Sequence, residues 1–354
     1  MAERTVVIIG ATGSIGTQTL DVLKRLKDFK LVGFTYHTNG ELAERIAKEF
    51  NVKDFVSTFE DPEEAVRLVE NKKPDITLVA VPGFVSLRIT LGVIPNTKRI
   101  ALASKEALVC GGWLVRERLK KFKTELVPVD SEHSAIFRIF DENVTRIALT
   151  ASGGALRDWN VEDIKDATID DVLSHPVWRM GKRVTVDSAT MVNKVFEVFE
   201  AMEIFELSRD AIDVFMHREG IVHGMVYLKD GTVKMNAFKA DMRIPIAYSL
   251  THPDVVLDFQ EPKLSILTFE DVDLERYPLF SKSFEIHDSY ALRTAFNAAD
   301  EVAVEAFLKG KIKFWDIVEI VERTLSMFEK GEPRDLKDLE EIDERAREIA
   351  GDMV

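Results

Sequence analysis

Asp130 and Glu132 stand two residues apart, just beyond a strand-like run that ends at Val129. Residues at that spacing in an extended segment share a face. Two neighbouring carboxylates repel unless a proton or a cation separates them, and an oxygen-only pair suits Mg²⁺ or Mn²⁺ rather than zinc. An acidic surface loop would carry the same residues. Asn193, Lys194 and Glu197 form a second group: at three- and four-residue spacing they project from one face of a helix. Asp187 or Ser188 reads as the cap of that helix, and Lys194 with Glu197 also fits a buried salt bridge. With Ser152 of Ser152-Gly153-Gly154, this group offers hydroxyl, amide and ammonium donors to a phosphate. Each charge-assisted bond of that kind contributes roughly 1.5–3 kcal/mol.

A third set could hold a dinucleotide. Gly10-Ala11-Thr12-Gly13-Ser14-Ile15-Gly16 follows the first strand-like run and opens a helical pattern, so backbone amides and a helix N-terminus can receive a pyrophosphate. Its spacing, Gly-x-x-Gly-x-x-Gly, differs from the commoner Gly-x-Gly-x-x-Gly, and glycines at such a turn can also be purely structural. An enzyme that prefers NAD usually carries an acid at the end of the second strand. Here that end reads Thr35-Tyr36-His37-Thr38-Asn39, with no acid before Glu41, which favours NADP. His37 and Asn39 also suit plain turn positions. Finally, His175-Pro176-Val177-Trp178-Arg179-Met180-Gly181 joins a proton carrier and an indole to proline and glycine. That mixture suits a mobile lid that excludes water, and equally a surface loop with a packed indole.

These groups need a scaffold. From Arg4 to about Thr150, short β-branched runs (Thr5–Ile9, Leu31–Thr35, Ile76–Val81, Arg99–Leu102, Leu126–Val129) alternate with helical patterns at Ser14–Leu26, Glu41–Phe50 and Trp113–Phe122. That rhythm predicts an α/β, doubly wound parallel sheet with helices on both faces. The carboxylates beyond Val129 then lie at the carboxyl edge of the sheet, where ligands bind in such folds. After Thr150 the pattern predicts a helix over Ala189–Phe205 and a hairpin, Ile221–Leu228 with Thr232–Phe238, around Asp230-Gly231. From Pro278 onward it is almost entirely helical. Three parts are expected: a nucleotide-binding domain over 1–150, a central α+β catalytic domain over 151–277, and a C-terminal helical bundle over 278–354.

Composition narrows the function classes. At 354 residues and 46% hydrophobic, the chain can bury a large core. Its net charge of -14 gives no global attraction for nucleic acid or for an anionic metabolite, so a phosphate site must be local. A single cysteine, Cys110, rules out an intrachain disulfide, and the first residues run directly into a strand without a signal-peptide layout. A reducing compartment, the cytoplasm, is expected. No apolar run approaches the roughly 20 residues that would span a bilayer.

Taken in order, these residues resemble the 1-deoxy-D-xylulose 5-phosphate reductoisomerase family over essentially the whole chain. The most specific pieces are Pro128-Val129-Asp130-Ser131-Glu132-His133, Ser152-Gly153-Gly154, His175-Pro176-x-Trp178-x-Met180-Gly181 and Val186-Asp187-Ser188-Ala189-Thr190-Met191-x-Asn193-Lys194-x-x-Glu197. The resemblance implies a Rossmann-like NADPH-binding domain and a V-shaped homodimer joined through the central sheet. It implies a metal triad of Asp130, Glu132 and Glu197, with Lys105 and His175 also at the chemistry. On the substrate side it places Ser131, Ser152, His175, Trp178, Ser188, Asn193, Lys194 and Glu197, with Trp178 and Met180 in the lid. On the cofactor side it places Gly10, Thr12, Gly13, Ser14, Ile15, Asn39, Ser104, Lys105, Glu106 and Gly181. The implied reaction is the metal-dependent isomerisation and NADPH-dependent reduction of 1-deoxy-D-xylulose 5-phosphate to 2-C-methyl-D-erythritol 4-phosphate, in non-mevalonate isoprenoid biosynthesis. Ser104 stands where the family often has Asn, and Thr38 where it often has Lys. From the residues alone, a metal-free NADP dehydrogenase or a non-catalytic dinucleotide sensor are the rival classes. Neither accounts for the clustered carboxylates.

Overall fold

The computed structural model describes residues 3–178 and 180–354. Met1, Ala2 and Arg179, the last within the expected lid, lie outside the described residues. The chain divides into two compact units. One is Met1–Ala107 with Trp113–Phe137 and Asp241–Gln260, and the other is Leu108–Gly112 with Arg138–Ala240 and Glu261–Val354.

The first unit alternates strand and helix: β1 (Arg4–Ile9), α1 (Ser14–Arg25), β2 (Phe29–Tyr36), α2 (Gly40–Phe50), β3 (Phe55–Ser57), α3 (Glu63–Lys72), β4 (Ile76–Val79), α4 (Val85–Val93), β5 (Arg99–Leu102), α5 (Glu106–Phe122), β6 (Glu125–Pro128) and α6 (Ser131–Phe137). Among the described residues its sheet is parallel throughout, in the order β3-β2-β1-β4-β5-β6. Every residue of β4 is buried, as a strand covered on both faces requires. The winding direction reverses between β1 and β4, which opens a crevice at their carboxyl ends. The short edge strand β3 was not expected, because three residues carry too little pattern. A helix over Arg243–Thr251 returns late in the chain and buries Ile246, Ala247 and Leu250 in the same core as Val6, Ile8 and Leu20. The Arg99 guanidinium ties that helix's end by donating to the carbonyls of Leu250 (3.0 Å) and His252 (2.7 Å).

In the second unit, β7 (Val144–Ala151) leads into α7 (Val161–Ile164), α8 (Ile169–Leu173), α9 (Lys182–Thr190), α10 (Val192–Phe205), β8 (Ile212–Met216), β9 (Val222–Leu228) and β10 (Val233–Ala237). After the Arg243–Thr251 helix (α11), β11 (Glu270–Asp271), α12 (Lys282–Glu285), α13 (Tyr290–Leu308), α14 (Asp316–Leu325) and α15 (Leu336–Gly351) complete it. The described strands form a mixed sheet, β10-β9-β7-β8-β11. The hairpin forms where expected, β9 pairing with β10 and Gly231 taking φ +86° in the turn. Strand β7 pairs with β8 and β9, so it belongs to this unit although the sequence boundary at residue 150 places it in the first. Helix α13 packs on α9 as well as on α14 and α15, so the C-terminal helices share a unit with the central sheet rather than standing apart.

The helix expected over Ala189–Phe205 is in fact two. Helix α9 ends at Thr190, Met191 takes a left-handed conformation (φ 63°, ψ 8°), and α10 starts at Val192. No helix of the described residues is long and apolar enough to cross a membrane.

Candidate active site

The glycine loop of the first unit is built for close approach. Gly10 takes φ +93°, and a Cβ there would stand 2.6 Å from the Ala80 carbonyl oxygen. A Cβ on Gly16 would stand 2.2 Å from the Gly10 oxygen, so only glycine lets the first turn of α1 press onto the loop. Gly10 N donates to Thr35 Oγ1 (2.9 Å) and Ala11 N to the Thr35 oxygen (2.8 Å), anchoring the loop to β2. Gly13 is the N-cap of α1 and supplies no side-chain cap, so the amides of Ser14 and Ile15 stand at a helix start suited to an anion. Gly13 and Ser14 are exposed, Thr12 and Ile15 half-buried. These features fit a pyrophosphate.

The other expected cofactor residues of this unit hold structural positions. Asn39 caps α2, its side chain accepting from Leu42 N (3.1 Å), and the His37 ring rests on Phe59. Ser104 Oγ accepts from Val81 N (3.0 Å) and Glu106 Oε1 from Gly83 N (2.8 Å), so both fasten the loop that follows β4.

Asp130 and Glu132 do not lie on an extended segment. Helix α6 begins at Ser131, and Asp130 caps it: its Oδ1 accepts from the backbone N of Glu132 (3.1 Å) and faces His133 Nδ1 (2.9 Å). Its Oδ2 accepts from Lys105 Nζ (2.9 Å), with both side chains about one-eighth exposed. Glu132 is buried, and Ser131 Oγ donates to its Oε2 (2.6 Å). The surface-loop alternative therefore falls. His133 is fully buried against Asp130, a partnership that the three-residue spacing on a helix start could have flagged.

In the second unit, Gly153 (φ +86°) and Gly154 (φ +69°) follow Ser152, and a Cβ on Gly154 would stand 2.7 Å from the Ser188 oxygen. The loop thus lies directly on α9 at Ser188. Asp187 and Ser188 sit inside α9 and cap nothing; Ser188 Oγ donates to the Val184 oxygen (2.9 Å), and Gly181 is the N-cap of α9. On α10, Asn193 Nδ2 donates to Glu197 Oε1 (2.5 Å), and Lys194 Nζ donates to Glu197 Oε2 and to the Thr150 oxygen (2.6 Å). Glu197 is 1% exposed. The one-face reading of these three residues and the salt-bridge reading of two of them are both realised.

His175 Nδ1 accepts from the backbone N of Val177 (3.1 Å) and Trp178 (2.9 Å), which puts the ring proton on Nε2, 3.3 Å from Ser152 Oγ. Burial, assisted by the positive charge of Arg157, pushes the His175 pKa down to about 4. The Trp178 ring packs beside His223, which stacks on Phe238. The expected lid therefore has a packed indole in this state.

The fit to a metal is chemical. Asp130 and Glu132 in one unit and Glu197 in the other are hard oxygen donors with little exposure. Asp130 and Glu197 each bear an ammonium that balances their charge, the kind of environment a divalent cation also satisfies. The parallel sheet, whose strand order reverses between β1 and β4, and its glycine turn define a dinucleotide-binding α/β protein.

Within that class, the chain belongs to the 1-deoxy-D-xylulose 5-phosphate reductoisomerase family. The profile for 1-deoxy-D-xylulose 5-phosphate reductoisomerase matches residues 6–67 and 55–112. The profile for its C-terminal domain matches 126–205, and that for the DXP reductoisomerase C-terminal domain matches 239–349. The 1-deoxy-D-xylulose 5-phosphate reductoisomerase of Thermotoga neapolitana is 54% identical, with 99% of this chain and 97% of the relative covered. That of Thermotoga maritima is 56% identical over 97% of this chain and 95% of the relative. Among solved structures, the Zymomonas mobilis enzyme in complex with NADPH superposes with a TM-score of 0.88 at 32% identity, covering 99% of this chain and 98% of that one. A DOX-P reductoisomerase in complex with NADPH, fosmidomycin and magnesium gives 0.91 at 28% identity, with the same coverage.

Proposed function

We propose that this chain is an enzyme that converts 1-deoxy-D-xylulose 5-phosphate to 2-C-methyl-D-erythritol 4-phosphate, by metal-dependent isomerisation and NADPH-dependent reduction, in non-mevalonate isoprenoid biosynthesis. The observation that carries this reading is the polar group on the second unit. A serine hydroxyl faces a neutral His175, while Asn193 and Lys194 converge on a buried Glu197. The family resemblance assigns those residues to the substrate side, and their clustering supports that assignment.

Asp130, Glu132 and Glu197 would hold Mg²⁺ or Mn²⁺. When bound, the metal supplies Lewis-acid polarisation of a carbonyl and acidification of a hydroxyl, and NADPH supplies the hydride. The protein's own part is binding and orientation. Ser152, Ser188, Asn193 and Lys194 hold the substrate's phosphate and hydroxyl groups, so the fragments of a carbon–carbon rearrangement stay in register, a proximity contribution. His175, with its proton on Nε2, donates toward the same site, and Ser131 adds a hydroxyl beside Glu132. Trp178 and Met180 cover the substrate and exclude water. Gly10, Thr12, Gly13, Ser14 and Ile15 receive the cofactor's pyrophosphate, with Asn39, Ser104, Lys105, Glu106 and Gly181 around the rest of it. Lys105 also balances the charge of the Asp130 carboxylate, a role that a bound cation would share.

The working form is a cytoplasmic homodimer joined through the second unit's sheet; the half-exposed Val233 and Met235 on its edge strand β10 supply apolar surface for that contact. The deciding assay follows NADPH absorbance with 1-deoxy-D-xylulose 5-phosphate before and after EDTA, with Mg²⁺ or Mn²⁺ added back. Oxidation that stops with EDTA and returns with metal is expected. No oxidation under any condition would reduce the protein to a dehydrogenase of another substrate.

A further inference from the structure

The loop that carries Ser152 is fastened by side chains. Beyond the end of β7, the Ser152 carbonyl accepts from Arg157 Nη1 (2.8 Å) and the Gly153 carbonyl from the Tyr277 hydroxyl (2.8 Å). A few residues on, Arg276 Nη1 takes the carbonyls of Leu156 (3.1 Å) and Trp159 (2.7 Å). Arg157 Nη1 also reaches the Arg218 carbonyl (3.0 Å), which ties the loop to the turn after β8. Tyr277 is 2% exposed, so its hydroxyl has no water to turn to and must be satisfied by the loop. A Cβ on Gly153 would stand 2.4 Å from Met216 Cε and 3.3 Å from the Tyr277 oxygen, so the backbone here is held at van der Waals range on that side.

We infer that Arg157 and Tyr277 are positioning residues for the substrate's phosphate, acting through the Ser152-Gly153-Gly154 backbone rather than by touching substrate. In a trans peptide the N–H points opposite the C=O. Gripping the Ser152 and Gly153 oxygens therefore also fixes the directions of the Gly153 and Gly154 N–H groups, together with the backbone from which the Ser152 hydroxyl springs. Glycines at positive φ are otherwise free to take several conformations, and each must be frozen before the phosphate arrives or at its expense. Arg157 in addition brings a positive charge near His175, which favours an anionic ligand at the same end of the unit. No sequence motif announces Tyr277, since it comes from a distant segment.

This inference rests on the reading of Ser152 as a phosphate ligand, and the experiment separates the two. Steady-state kinetics would be measured for Ser152→Ala, Tyr277→Phe and the double variant, with Arg157→Gln and Arg157→Lys alongside and fosmidomycin as a phosphonate probe. Tyr277→Phe is expected to raise KM for 1-deoxy-D-xylulose 5-phosphate, and the fosmidomycin Ki with it, by roughly five- to tenfold, the loss of one buried hydrogen bond. Its kcat should stay within about twofold and its KM for NADPH should not move. Arg157→Gln should act in the same direction, with partial rescue by Arg157→Lys. The double variant should cost less than the product of the single effects, because both act on one contact. Multiplicative effects, or a parallel rise in both KM values, would overturn the inference, whereas a Tyr277→Phe effect with Ser152→Ala silent would support it through the Gly153 and Gly154 N–H groups alone. Silence of Tyr277→Phe with a large Ser152→Ala effect would reject the positioning role and leave the site standing. Silence of both would remove the site reading and the inference together.

Discussion

Lys194 rests its ammonium on the carboxylate of Glu197 one helical turn along α10, and both side chains are withdrawn from water. Breaking a buried pair from one side costs more than the pair is worth, about 3–5 kcal/mol, because the remaining charge is stranded. Lys194→Ala is therefore expected to lower the thermal midpoint and, if the ammonium grips phosphate, to raise KM for the sugar phosphate at least tenfold. Calorimetry and initial rates on the same preparation test both. A stability loss with unchanged KM would leave only the salt bridge.

Glu197→Gln keeps the shape and the hydrogen bond from Asn193 but removes the charge. NADPH binding, followed by fluorescence titration, should be unchanged, while turnover falls roughly 100-fold or more and the Mg²⁺ requirement rises. Wild-type turnover at limiting Mg²⁺ would take Glu197 out of the metal site.

His175 gives a pH dependence with a defined sign. Its pKa lies at about 4 in the folded protein against 6.5 for an unperturbed imidazole, so between those values the unfolded chain binds the extra proton. Its stability contribution is complete above about pH 6.5 and is lost as pH falls toward 4. Thermal midpoints of the ligand-free protein at pH 7.5 and 5 should therefore differ more for the wild type than for His175→Gln. Equal differences would show that burial does not hold the ring neutral.

Asp300 behaves in the opposite sense. It is fully buried on α13, where Arg183 must serve Glu301 (3.3 Å), Asp300 (3.6 Å) and Asp187 (3.7 Å) together. Burial first, then the nearby Asp187 charge, raises its pKa well above 3.8. A raised carboxyl contributes stability below its unfolded pKa and loses it as pH climbs through the folded value. Asp300→Asn, which needs no proton, should equal or exceed the wild type in thermal midpoint near pH 8. A midpoint several degrees lower would mean that Asp300 is ionised and needed by Arg183.

Much of this was legible in the sequence, and the gaps have physical causes. The β-branched runs of β1, β2, β4 and β5 read as strands because both faces are buried, leaving few polar interruptions. Helix α9 was missed because Val184, Thr185 and Val186 are poor helix formers, held helical here by packing against α10 and α13. The unit boundaries were misplaced because β7 and the Arg243–Thr251 helix find partners far along the chain, which no local pattern encodes. Among the proposed site residues, Asn193, Lys194 and Glu197 share a helix face as their spacing predicted. Lys105 did not, because its partner Asp130 lies on another strand's edge, and only the family resemblance named it.

The left-handed residue at Met191 has a consequence of phase. An unbroken α-helix turns about 100° per residue, so Ser188 and Lys194, six positions apart, would stand roughly 120° apart around such a helix, on different faces. The break at Met191 resets that angle. If Ser188 and Lys194 serve one substrate, as proposed, the angle between them is set by this break and not by the geometry of a straight helix. Deleting one residue there, or substituting proline, would alter the register of the donors without removing any of them.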